Sequence, residues 1–115
     1  MTTMLNVKMS EKELQDEVVR LAEKHDVLCF HVPDSRISYG AGFTDLVLSG
    51  TARTIFAELK VDDTARGYLK PAQRQWRDRL IASGEDYYLW RPRHLISGEI
   101  EETIMNLNDG DYNDN

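Results

Sequence analysis

Leu14, Val18, Leu21 and Ala22 recur at helical spacing behind Ser10 and Glu13, a serine and a glutamate placed as a capping box, so the pattern predicts an amphipathic helix over residues 10–25. VLCFHV (27–32) is a β-rich run ended by Pro33, and PDSRISYGAG reads as a loop in which Gly40 and Gly42 have backbone freedom. FTDLVLSG (43–50) and RTIFAELKV (53–61) predict two more strands around a turn at Ser49 and Gly50. Pro71 suits the first turn of a helix with Ala72, Trp76, Leu80 and Ile81 as its apolar positions and Gly84 as its cap. YYLWR (87–91) predicts a fourth strand, and Ile100, Ile104 and Leu107 mark a last short helix before a polar, acidic tail. The predicted order is α-β-β-β-α-β-α, an α/β fold with a mixed sheet flanked by helices. It is read as an N-terminal extension over 1–9, a single domain over 10–108 and a tail over 109–115.

One stretch breaks the apolar pattern. In FAELKVDD, Ile55, Ala57 and Leu59 keep one face of the third strand apolar, while Phe56 on the other face is followed by Glu58 and then Lys60. A Glu-x-Lys triplet alone is common by chance. Its surroundings sharpen it: Asp45 stands near the start of the preceding strand, and a hairpin through residues 49–53 brings Asp45 and Glu58 to one end of adjacent strands. Two neighbouring carboxylates repel unless a cation or proton lies between them, and an oxygen-rich pair suits Mg²⁺ or Mn²⁺. A lysine reaching the same space orients an attacking water or stabilises the charge that develops on a phosphoryl group. These are the parts required to cut a phosphodiester.

Composition adds two points. Hydrophobic content of 41% and charged content of 30% are ordinary for a globular protein, and neither a signal peptide nor a membrane-spanning run is evident, so a cytosolic protein is expected. The net charge of −6 is segregated: all 14 basic residues lie at or before Arg93, where 14 acidic residues over positions 1–98 balance them, and the whole deficit comes from six acids after Ile96. From Arg66 to Arg93 seven basic residues face only Asp78, Glu85 and Asp86, which leaves room for a basic surface on an acidic protein. Cys29 has no disulfide partner and reads as a small apolar residue. No phosphate-binding glycine motif is present, which weighs against a small-molecule phosphodiesterase.

AGFTDLVLSG followed by IFAELKVDD resembles the PD-(D/E)xK nuclease superfamily, with Asp45 in the place of its aspartate and Glu58 and Lys60 in its (D/E)xK. More narrowly, with EKELQDEVVRLA, HVPDSR and LKPAQRQWRDRLIASGEDYYLWRP, the chain is similar to the stand-alone VRR-NUC domains of phages and bacteria from Glu11 to about Leu107. Thr44 departs from the proline usual before the aspartate. The resemblance implies a restriction-endonuclease-like core and a metal-dependent DNA endonuclease leaving 5′-phosphate and 3′-hydroxyl ends. Mg²⁺, or Mn²⁺, would be held by Asp45, Glu58 and the Leu59 backbone carbonyl, with Lys60 positioning water. It also implies a helical glutamate at the metal, for which Glu11 is the best match and Glu13 and Glu17 are alternatives, and a helical glutamine, Gln73, at the site. Finally, it implies a homodimer acting on branched DNA such as four-way junctions, with no small-molecule cofactor.

Other polar residues are expected at a DNA backbone before they are expected in chemistry: Ser35 and Arg36 beside the glycine loop, and Lys70, Arg74, Arg77, Arg91 and Arg93 after the lysine. His31 reads as a hydrogen-bonded strand residue and Trp76 and Trp90 as core aromatics. A rival from another class is a catalytically inactive nucleic-acid-binding module of the same fold. In a second rival the acidic tail acts as a DNA mimic.

Overall fold

A computed structural model describes residues 8–31, 40–61 and 68–110 of the 115-residue chain. In chain order the elements are α1 (Glu11–Lys24), β1 (Leu28–His31), β2 (Leu46–Ser49), β3 (Thr54–Leu59), α2 (Pro71–Ala82), β4 (Asp86–Trp90), α3 (Pro92–Ile96) and α4 (Glu99–Asn106). Ser10 caps α1 as its sequence anticipates: its hydroxyl accepts from the Glu13 amide at 3.0 Å, and the Glu13 carboxylate accepts from the Ser10 amide at 2.8 Å. The order follows the pattern with one addition, the short α3, which begins with Pro92 in its first turn.

The four strands lie in the order β1-β2-β3-β4. β1 and β2 run antiparallel to their neighbours through Phe30↔Val47 and Leu46↔Ala57, whereas β4 pairs parallel with β3 through Phe56↔Tyr87 and Glu58↔Leu89. A parallel partner cannot be reached by a tight turn, so the chain crosses through α2 between β3 and β4.

Alternation along these strands divides the sheet into two unlike faces. Leu46, Leu48, Ile55, Ala57, Leu59 and Trp90 point to one side, where they meet Leu14, Val18, Leu21 and Ala22 of α1 and Ile100, Ile104 and Leu107 of and beside α4. This is the apolar core, with most of its members fully buried. Val47, Phe56, Glu58, Tyr87 and Leu89 occupy the opposite face. There Phe43 stands edge-on to Phe56 and to Trp76 of α2, with ring centroids at 6.0 and 4.7 Å. Of the apolar positions expected to bury on α2, Leu80 does so, while Ile81, the next residue and so about 100° further round the helix, is 55% exposed. On the edge strand β1, Leu28 and Phe30 also stand in solvent and His31 is exposed.

The end of α4 is stitched to two distant turns. Asn108 donates through Nδ2 to the His25 carbonyl at 2.7 Å and accepts at Oδ1 from the Thr51 amide at 2.8 Å, while the Leu107 carbonyl accepts from the amides of Ala52 and Arg53. A side chain on Gly50 would collide with the Leu107 carbonyl backbone. Gly84, by contrast, needs glycine only for its φ of +88°, since nothing lies near the position of an added Cβ. Gly50→Ala is therefore expected to cost at least about 2 kcal/mol in urea unfolding. Gly84→Ala should cost only about 1 kcal/mol, the penalty of a left-handed alanine. Equal losses at the two positions would contradict the close approach at Gly50.

Candidate active site

The loop that precedes β2 is held against the start of α2. Gly42 has a φ of +88°, and a Cβ there would lie 2.6 Å from the Ala72 carbonyl carbon, so only glycine lets the two backbones approach this closely. Phe43 then packs on Trp76, and Thr44 is buried with its hydroxyl donating to the Leu46 carbonyl at 3.3 Å. The next residue is Asp45. One position before β2 and of the same parity as Val47, it is carried to the face of the sheet that bears Phe56 and Glu58.

Asp45 Oδ2 accepts from the Leu59 amide at 2.8 Å. Glu58 is only 2% exposed, and its Oε2 accepts from Gln73 Nε2 at 2.9 Å. The Gln73 amide has a fixed sense: its Oε1 accepts from the Lys70 amide at 2.8 Å in a capping interaction at the start of α2, so its nitrogen is the atom left to meet Glu58. Burial, then the charge of and a hydrogen bond with Asp45, push the Glu58 carboxyl up to about 9, while the Lys60 ammonium pulls in the opposite direction. Glu58 consequently holds a proton at neutral pH and donates it within the carboxyl pair.

The three candidate glutamates of α1 separate by location. Glu13 is used by the helix cap, and Glu17 pairs on the surface with Arg20 at 2.9 Å. Glu11, in the first turn, faces the strand end. Partial desolvation and the Asp45 carboxylate raise its pKa, and Lys60 lowers it, so Glu11, Asp45, Glu58 and Lys60 share one electrostatic neighbourhood.

A buried carboxyl, Glu58, in hydrogen-bond contact with the half-buried carboxyl of Asp45 forms a donor set that fits a hard divalent cation. Mg²⁺ is commonly held through one or two carboxylates, with water completing its shell. Among the described residues no group of three His, Cys, Asp or Glu side chains closes into a fuller cage. Alternation along β3 supplies a further donor: the Lys60 amide donates to the Trp90 carbonyl on the β4 side, whereas the Leu59 amide points to Asp45, and the Leu59 carbonyl shares that side.

No family model matches the chain, and no curated protein is significantly similar to it. Among solved structures, one described as a VRR_NUC domain protein superposes with a TM-score of 0.62 at 21% identity, over 89% of this chain and 94% of that one. The chain has the VRR_NUC fold. Within that fold, Asp45, Glu58, Lys60, Gln73 and Glu11 converge at one end of β3. Arg74, Arg77 and Arg91 gather beside Leu89, Lys70 caps α2 and is exposed, and Ser35 and Arg36 lie outside the described residues.

Sequence reasoning missed Tyr87. Paired with Phe56, it lies on the Glu58 face, and among the described residues its buried hydroxyl has no hydrogen-bond partner. Burial, with the Glu58 carboxyl nearby, raises its pKa, so it stays protonated and available as a donor. The alternation of YYLWR could have exposed it only with the parallel register to β3 in hand.

Glu58 links pH to stability. An unfolded carboxyl titrates near 4.5 and the folded one at about 9. Below that window both states hold the proton; within it only the folded state does. Stability of the metal-free protein should therefore fall as pH rises from 4.5 towards 9, by up to about 1.4 kcal/mol per unit from this group. Glu58→Gln should flatten that slope in urea titrations at several pH values. A wild-type curve as flat as the variant's would contradict the buried proton.

Proposed function

We propose that this chain is a metal-dependent nuclease that hydrolyses phosphodiester bonds in DNA. The observation that carries the reading is the pairing of buried Glu58 with half-buried Asp45 at the end of a VRR_NUC-fold strand, beside Lys60, with Glu58 hydrogen-bonded to Gln73. A buried acid that must keep a proton beside a second carboxyl costs stability at neutral pH, and such sites are where function is found. The residues that would hold Mg²⁺ or Mn²⁺ are Asp45, Glu58 and the Leu59 carbonyl, with Glu11 reaching the site from α1. Bound there, the ion supplies positive charge that neutralises the phosphate and acidifies water.

The chain's own residues divide the remaining work. Lys60 donates to the attacking water or to a non-bridging phosphate oxygen, stabilising charge that grows in the transition state. Gln73, locked by the Lys70 amide, holds the Glu58 carboxyl in place. The Leu59 amide does the same for Asp45, so the acids do not have to reorganise when substrate arrives. Branched DNA is the proposed substrate class and a homodimer the proposed assembly, both on the strength of the sequence resemblance. Light scattering reads the assembly directly.

The test is cleavage of labelled four-way junction, flap, single-stranded and duplex DNA with Mg²⁺, Mn²⁺ or EDTA. Wild type should cut only with metal. Lys60→Ala and Asp45→Asn should lose about a thousandfold or more while remaining folded, since asparagine can still accept from the Leu59 amide. DNA binding without cleavage under either metal would replace the enzyme with a binding module of the same fold.

A further inference from the structure

On the β4 side of the candidate site, Tyr68, Leu69, Arg74, Arg77, Leu89 and Arg91 line a groove of about 310 Å³. That volume is at the small end for ligand sites and has room for one nucleotide. Among the described residues no carboxylate lines the groove. Its guanidinium groups are partly positioned already: Arg74 Nη1 donates to the Leu69 carbonyl at 2.6 Å, and Arg77 Nε donates to Asp78 on the outer surface at 2.8 Å. Arginine forks held in this way suit phosphate oxygens better than solvated lysines would.

Tyr68 stands at the rim, 66% exposed, and Leu69 beside it is buried. A large aromatic side chain left in water next to three arginines forms the pairing of stacking platform and cationic wall by which single strands are gripped. The groove is also in register with the chemistry. Leu89, on its floor, is the strand partner of Glu58, about 4.8 Å away across the sheet. Arg77 lies one helical turn beyond Gln73, on the same side of α2 as the residue that meets Glu58.

We infer that this groove binds an unpaired nucleotide next to the scissile phosphate, its base against Tyr68 and its phosphate among Arg74, Arg77 and Arg91. A base inside a duplex has both faces covered by its neighbours, so Tyr68 can stack only on one that has left the stack, as at a flap, gap or branch point. The inference rests on the nuclease reading and assigns that enzyme its selectivity for DNA with an unpaired nucleotide at the cut.

The test measures binding in EDTA by fluorescence anisotropy, with a labelled short oligothymidine strand, a duplex of equal length, an abasic strand of equal length and free thymidine monophosphate as competitor. Tyr68→Ala should weaken oligothymidine binding by roughly tenfold and leave duplex and abasic-strand binding within about twofold, while Tyr68→Phe should bind as wild type does. Arg77→Gln should weaken all three polymers and reduce the salt slope by about one. Unchanged oligothymidine affinity in Tyr68→Ala, an equal loss on duplex and abasic strands, or no oligothymidine binding by wild type each overturns the inference. Displacement of the strand by low concentrations of the mononucleotide overturns it in favour of a small-molecule site. The cleavage assay is independent: a wild type that cuts DNA while Tyr68→Ala binds normally rejects the groove alone, and a Tyr68 effect without cleavage rejects the nuclease alone.

Discussion

Everything at the polar end of this molecule is arranged around one carboxyl that water cannot reach. Glu58 lies near the end of an interior strand, 2% exposed, and a charge in that position without partners would cost several kcal/mol. Its surroundings answer each part of that cost. Gln73 donates to one oxygen, Asp45 shares a proton with the carboxyl, and the Lys60 ammonium lies near enough to oppose the repulsion. The partners are themselves held by backbone amides, Lys70 for Gln73 and Leu59 for Asp45. The network is thus anchored in the helix cap and the strand ladder, with no reliance on flexible side chains alone.

The division of the sheet into two faces makes that arrangement affordable. Folding is driven on the α1/α4 side, where fourteen apolar residues form a continuous core. The other side is left to carry polar groups, aromatic contacts with α2 and the arginine-lined groove. Gly42 is where the two assignments meet, since the close approach of its backbone to Ala72 sets how far Gln73 stands from the strand that bears Glu58.

Much of this was legible in the sequence because the signals were local. A capping box, a period of 3.6, a period of 2 and a proline in a first turn gave seven elements, and the abrupt appearance of Glu58 and Lys60 on one strand face pointed to the end of β3. The short α3 was not recognised, since a five-residue helix carries almost no periodicity. Ile81 was expected to bury and does not, because helical spacing says which residues share a stripe but not how wide a surface the stripe will find. Gln73, apart from the family likeness, and Tyr87 were invisible for a third reason: what makes each of them matter is a neighbour fifteen or more residues away, fixed only by the crossover through α2 and the parallel register of β4. Tyr68 carries no local signal of its own, because the groove that gives it meaning is built from α2 and β4 together.

The stitch at Asn108 bears on how the chain reaches this state. Its side chain closes separations of 57 residues to Thr51 and 83 to His25, and the preceding carbonyl fastens the turn between β2 and β3 as well. These are among the longest loops the fold has to close, and their entropy is spent before the contacts reward it. The first helix and the hairpin can form early from local contacts. They are locked together only when the last helix arrives, so its docking is the step at which a set of separately plausible pieces becomes one cooperative structure.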